Sequence, residues 1–387
     1  MQALVGALMG LGVLASCSFA WQALGKIPTQ TRRPVPWNGW VVAALFVIYL
    51  FTQVLATVGA VAVRTAMLGE AKTVRGFFEA FGREIRGLSE PPGAKPGAKP
   101  EEKPEEKPEE MPVEEDLAAK KLRAARFATL MLGMQAAGVI TLGIGYFFLR
   151  ASGASAADLG LSWTHIGQDV RSGVLGFLAL APPTYFLQAM LRLASPQDVK
   201  AHDVEKILSS LASLSGWELA WTFGAIGLAV AVMAPLVEEF LFRVVLQGWC
   251  ERWWASRQAA RGAKSPLPDL AIGELAMVPA DSANPYFASA SPLPGNAAPT
   301  DASIETVEAP VVDRIQWIPI AAASLLFAAA HLTQWPDPIP LFCFSMGLGY
   351  LYQRTHRLLP SVVTHACLNG FSLAMLWLAV MTAQLEK

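Results

Sequence analysis

Eight stretches of the 387-residue chain stay apolar for about the 20 residues a helix needs to cross a bilayer. They fall near 2–24, 39–65, 126–149, 172–193, 217–250, 315–333, 338–353 and 358–382. The pattern predicts an all-α protein, a multi-pass transmembrane helical bundle of about eight spans. The fifth stretch is overlong and contains Pro235, which predicts either one kinked helix or two shorter ones. The first includes Leu14-Ala-Ser-Cys17, similar to a lipoprotein cleavage box, but no Lys or Arg precedes its apolar run. Without a charged leading region it reads as a retained transmembrane helix.

The polar stretches divide the chain. Residues 1–87 hold two N-terminal spans, and 88–118 form a Pro, Glu and Lys linker whose KPEEKPEEKPEE repeat puts proline at every fourth position. Such a repeat blocks a continuous helix and offers no apolar surface to offset chain entropy, so a disordered, extended spacer is expected. Residues 119–254 form the first part of a membrane core, 255–312 an Ala- and Pro-rich flexible insertion, and 313–387 the second part of the core. Positive charges near Lys26, Arg32 and Arg33, near Arg252, Arg257, Arg261 and Lys264, and at Arg354 and Arg357 assign three loops to one side, the cytoplasmic one.

Composition supports a membrane protein and excludes other classes. The chain is 53% hydrophobic and 16% charged, with a mean hydropathy of +0.38, too apolar for an ordinary soluble domain. A cell-membrane location with lipid as its surroundings is expected. The net charge of -1 gives no field to attract nucleic acid. Cys17, Cys250, Cys343 and Cys367 have no paired spacing and read as small apolar packing residues. Nothing in the pattern specifies an oligomeric state.

Against this background Ala234-Pro-Leu-Val-Glu-Glu-Phe-Leu-Phe-Arg243 is unexpected, because it puts three charges inside an apolar helix. A carboxylate at bilayer depth costs roughly 2.5–3.5 kcal/mol on insertion scales. Glu239 and Arg243 are four residues apart, the favourable order for an ion pair on one helix face. Glu238 points about 100° away and is left for chemistry. A buried ion cluster that merely fixes helix packing is the competing explanation. Downstream, His331 ends FAAAHL, and His365 and Asn369 share one face of the last span, four residues apart. Singly, each is an ordinary interhelical hydrogen-bond partner. Together with Glu238 they supply a base, two imidazoles and an amide from apolar helices.

Glu238-Glu239-x-x-x-Arg243, Phe327-x-x-x-His331 and His365-x-x-x-Asn369, in this order, resemble the CPBP family of intramembrane proteases. It is also called the Abi or CAAX-protease family and includes the type II CAAX prenyl endopeptidases. The resemblance covers about residues 170–382 and puts a CPBP-type core in the C-terminal six spans, with Gly347 and Gly349 suited to close helix approach. It implies an intramembrane endopeptidase acting on a peptide or lipidated protein substrate. Glu238 would then be the general base for a water, with His331, His365 and Asn369 completing the site. Glu239 and Arg243 would hold the helix and the field around that base. The expected chemistry is water activation without a metal. If a divalent metal such as zinc takes part, Glu238, His331 and His365 are its ligands, though no His-Glu-x-x-His is present.

Two other classes compete. A non-catalytic membrane scaffold or immunity-type regulator would keep the fold without the reaction. A proton or ion transporter would use the same intramembrane Glu and His as a relay, but the two halves show no inverted repeat.

Overall fold

The computed structural model describes residues 15, 17–27, 30, 34–67, 117–162, 164–194, 210–262 and 315–385, and the regular structure among them is helical. Helix α1 covers 17–25, α2 Gly39–Met67, α3 Leu117–Ala151 and α4 Ile166–Ala194. The overlong fifth stretch is one helical run, α5. It passes from α-helix (Gly216–Gly227) to π-helix (Leu228–Met233), back to α-helix (Ala234–Glu239), again to π-helix (Phe240–Gln247), and ends as α-helix (Gly248–Gly262). Helices α6 Trp317–Ala329, α7 Pro338–Thr355 and α8 Leu358–Leu385 complete the bundle. The predicted linker 88–118 lies outside the described residues up to the start of α3. Most of the predicted insertion 255–312 lies outside them too, but α5 continues into it as far as Gly262.

The chain is an all-α, multi-pass helical bundle, with fewer membrane-length helices than expected. Among the described residues, five are long and apolar enough to cross a bilayer: Gly39–Ala60, Lys120–Ala151, Ile166–Ala194, Gly216–Arg261 and Leu358–Thr382. The first predicted span lies mostly outside the described residues. The sixth is cut to 13 residues, about 20 Å of helix, because the chain leaves the helix at Ala330 and turns through a 3-10 segment, Leu332–Gln334. The seventh is an 18-residue helix, α7, diluted by Ser345, Gly347, Gly349 and Gln353. Helices α6 and α7 thus form a short pair with His331 at the turn between them.

Helix α5 is central. Its Val237, Phe240, Leu241, Val244 and Val245 are buried with Leu45 of α2, Leu149 of α3, Ala323 and Phe327 of α6, and Tyr352 of α7. In lipid, helices gain little from hiding apolar surface and associate through close packing. Gly349 of α7 shows how close: a Cβ there would lie 2.8 Å from Ile320 Cγ2 of α6. The longest interface joins α8 to α4, where Thr364 Oγ1 donates to the Gly173 carbonyl at 2.8 Å and Tyr185 donates to that of Leu368 at 2.9 Å. The buried Arg357–Asp169 ion pair, 2.6 Å, pins the start of α8 to the first turn of α4.

Residues outside the resemblance are tied into this core by hydrogen bonds the apolar pattern does not reveal. Arg252 Nη1 donates to the carbonyls of Val35, Pro36 and Trp37 at 3.0, 2.9 and 2.9 Å. Trp37 Nε1 donates to Val245 of α5 at 3.0 Å, and Arg354 donates to the carbonyls of Gly25 and Ile27. Two of the arginines that suggest membrane orientation therefore also clamp the segment between α1 and α2. Cys17 is more than a packing residue. Pro182 and Pro183 lie inside α4 and deprive the carbonyls four residues earlier of their N–H donors. Those carbonyls, Leu178 and Ala179, accept from the Cys17 thiol at 3.5 and 3.3 Å.

Candidate active site

Glu238 and Glu239 end the middle α-helical segment of α5, and Arg243 follows in the second π segment. Arg243 Nε donates to Glu239 Oε2 at 3.0 Å, and both side chains are fully buried. Arg243 also donates to Ser345 Oγ of α7 at 2.6 Å and lies 5.7 Å over the Phe327 ring. Glu239 is locked into an ion pair, while the Glu238 side chain keeps 20% of its surface.

His365 links the two carboxylates. Its Nδ1–H donates to Glu239 Oε1 at 2.9 Å, and its Nε2 stands 3.8 Å from Glu238 Oε2. A carboxylate accepts only, so Nδ1 carries a proton in this bond, and the ring aims Nε2 at Glu238. The arrangement was not readable from α5 alone, where helical rotation separates the glutamates. It needs a ring with two nitrogens arriving from α8.

His331 follows the last turn of α6. Its Nδ1–H donates to the Phe327 carbonyl at 2.8 Å, leaving Nε2 without that partner, and its ring rests on Phe327 at a centroid distance of 4.9 Å. Within electrostatic reach of the Glu238 carboxylate lie His365, His331, Glu239 and Arg243. Phe327 is the shared floor: its ring meets His331, His365 at 5.9 Å and Phe242 at 5.2 Å. Phe344 supports His365 from the α7 side at 5.7 Å. Sequence reasoning included Phe327 only as the first letter of a motif and missed Phe344 and Ser345. Aromatic and hydroxyl residues in apolar helices give no signal that separates floor from core.

Asn369 bonds to α5. One N–H of its amide donates to the Val230 carbonyl of α5 at 2.9 Å. In the first π segment bonds run from residue i to i−5, as from Ala234 to Ala229. The next bond would run from residue 235 to Val230, but Pro235 has no N–H. Asn369 supplies it. The Pro235 defect is therefore bridged and α5 stays continuous, one turn before the glutamates.

Among the described residues, no group of three or more His, Cys, Asp and Glu side chains is arranged to hold a metal ion. The set Glu238, His331 and His365 is not arranged to hold a zinc in this conformation.

Residues 307–371 match the family model described as Type II CAAX prenyl endopeptidase Rce1-like. That segment carries His331, His365 and Asn369, and over it the chain is similar to the type II CAAX prenyl endopeptidases. The glutamate helix lies outside the matched residues. No curated protein and no solved structure matches the chain.

Proposed function

We propose that the protein is an intramembrane endopeptidase of the cell membrane that hydrolyses a peptide bond in a membrane-associated substrate, a prenylated CAAX-type chain included. The observation that carries this reading is the placement of His365, held at 2.9 Å by Glu239 with its free nitrogen 3.8 Å from Glu238. A packing cluster needs Glu239 and Arg243 only. It gives no reason for a second, partly accessible carboxylate facing an oriented imidazole.

In this mechanism a water is held between the Glu238 carboxylate and Nε2 of His331. Glu238 takes one proton as the water oxygen adds to the scissile carbonyl carbon. The oxyanion that forms accepts a hydrogen bond from Nε2 of His365 in its imidazolium form, preorganised by Glu239. The intermediate collapses, the C–N bond breaks, and Glu238 returns the proton to the departing amine. Arg243 neutralises Glu239 and fixes its orientation. Asn369 acts through α5, by keeping the helix that presents Glu238 continuous.

The test is direct. The purified chain in lipid nanodiscs is incubated with a farnesylated CAAX peptide and with a matched unprenylated membrane-anchored peptide, and products are identified by mass. New termini at a single internal peptide bond, lost with Glu238→Gln and with His331→Ala, are expected. Cleavage unaffected by either substitution would remove the site from the reaction.

A further inference from the structure

Arg243 Nη1 and Gln247 Oε1 of α5 and Ser324 Oγ of α6 are buried and have no hydrogen-bond partner among the described residues. A buried polar group left without a bond costs free energy, and a charged one costs more. The other atoms of these side chains are well occupied. Arg243 donates from Nε to Glu239 and from Nη2 to Ser345. Gln247 donates from Nε2 to the Gly349 carbonyl of α7 and to Glu251 Oε1, both at 3.0 Å. Reversing its amide would set Oε1 against a carbonyl and a carboxylate, so Oε1 is fixed on the side facing Arg243.

Gly349 locates the two α5 atoms. A Cβ there would lie 2.9 Å from Gln247 Oε1 and 3.5 Å from Arg243 Nη1. Both atoms therefore face the same side-chain-free stretch of α7 without bonding each other. Ser324 approaches this place from α6. It shares a helix face with Ile320, four residues before it, and Phe327, three after it. Ile320 Cγ2 would lie 2.8 Å from the same Cβ, and the Phe327 ring lies under the Arg243 guanidinium.

The three groups define the chemistry of what they bind. An anion would meet the Gln247 carbonyl oxygen, and a cation would meet Arg243. A water suits both, because it accepts and donates at once, and buried waters make about three bonds to otherwise unsatisfied groups. With bonds of about 2.7–3.2 Å, one water spans two atoms that lie this close to a common point. We infer that one ordered water molecule is bound beside Gly349, accepting from Arg243 Nη1, donating to Gln247 Oε1 and bonded to Ser324 Oγ. It closes the one gap in a file of polar groups along α5, Glu239, Arg243, Gln247 and Glu251, each four residues from the next. It also fixes the remaining arm of Arg243, and through Arg243 the orientation of Glu239 and His365. The water site stands by itself; its effect on cleavage rests on the endopeptidase reading.

An experimental structure of the full chain in nanodiscs, at a resolution that shows ordered solvent, tests the site directly. A density peak within hydrogen-bond distance of Arg243 Nη1 and Gln247 Oε1 is expected, and Gly349→Ala should remove it. A direct bond between those two atoms, or no peak in the parent, overturns the proposal. In thermal melts Ser324→Ala should lower Tm by a few degrees, whereas loss of a hydroxyl with no partner would leave Tm level or raise it. Because the methyl in Gly349→Ala displaces the water, Ser324→Ala should cost little Tm in that chain. Equal losses in both chains would give the hydroxyl a bond within α6 and overturn its part in the site. With the farnesylated peptide, Ser324→Ala should lower kcat a few fold at unchanged KM, and an unchanged kcat would overturn the positioning role. If the parent cleaves nothing, the endopeptidase reading fails while the density peak still decides the water site.

Discussion

Asn369 donates to the Val230 carbonyl at 2.9 Å, occupying the bond that Pro235 cannot make. Asn369 thus has a mechanical task one turn before the glutamates. Asn369→Leu should leave a part-buried carbonyl unpaired in an apolar setting, at a cost of about 1–3 kcal/mol. A lower Tm and slower cleavage are expected. Pro235→Ala in the same chain restores a backbone N–H and should recover most of the lost Tm. No recovery in the double variant would mean that the bond does not mend the helix.

The two glutamates should respond oppositely to loss of charge. Arg243→Met strands Glu239 without its counter-ion in a fully buried position, a class of change that costs about 3–5 kcal/mol. Poor folding, seen as a broadened gel-filtration profile and a much reduced Tm, is expected. Glu238→Gln touches a carboxylate with exposed surface and should melt close to the parent.

His365 can be divided into its two nitrogens. Asn at this position keeps an N–H for Glu239 but has nothing to place toward Glu238. His365→Asn should hold Tm within a few degrees and lose cleavage, whereas His365→Leu should lose both. Equal cleavage by His365→Asn and the parent would show that Nε2 is not used.

Close packing of the short helix pair is measurable at one atom. A methyl at Gly349 would sit 2.8 Å from Ile320 Cγ2 and 2.9 Å from Gln247 Oε1, and overpacking of this kind costs about 1–3 kcal/mol. Gly349→Ala should lower Tm, and Ile320→Val in the same chain should return part of it.

What could be read before the structure follows from distance along the chain. The Glu239–Arg243 pair is a four-residue relation within one helix, and helical arithmetic assigns it. The His365–Glu239 bond joins residues 126 positions apart, and nothing local encodes it; only the family resemblance placed the two together. The Asn369–Val230 bond is illegible in the sequence because an apolar run does not distinguish α- from π-helix, and the orphaned carbonyl exists only in the π register. The short α6 was overcounted as a span because its apolar run continues past Ala329, where the helix does not. Cys17, Arg252 and Arg354 were read as packing or orientation residues, since no pattern reveals which carbonyls a proline or a loop leaves open.

The claim that Glu238 handles the proton is tested most directly by single-turnover cleavage of the farnesylated peptide in nanodiscs, with parent, Glu238→Gln and Glu238→Asp compared at matched Tm. Loss of a general base that no other group replaces should slow Glu238→Gln by at least about 100-fold, with partial activity in Glu238→Asp. A rate for Glu238→Gln within a few fold of the parent would contradict it.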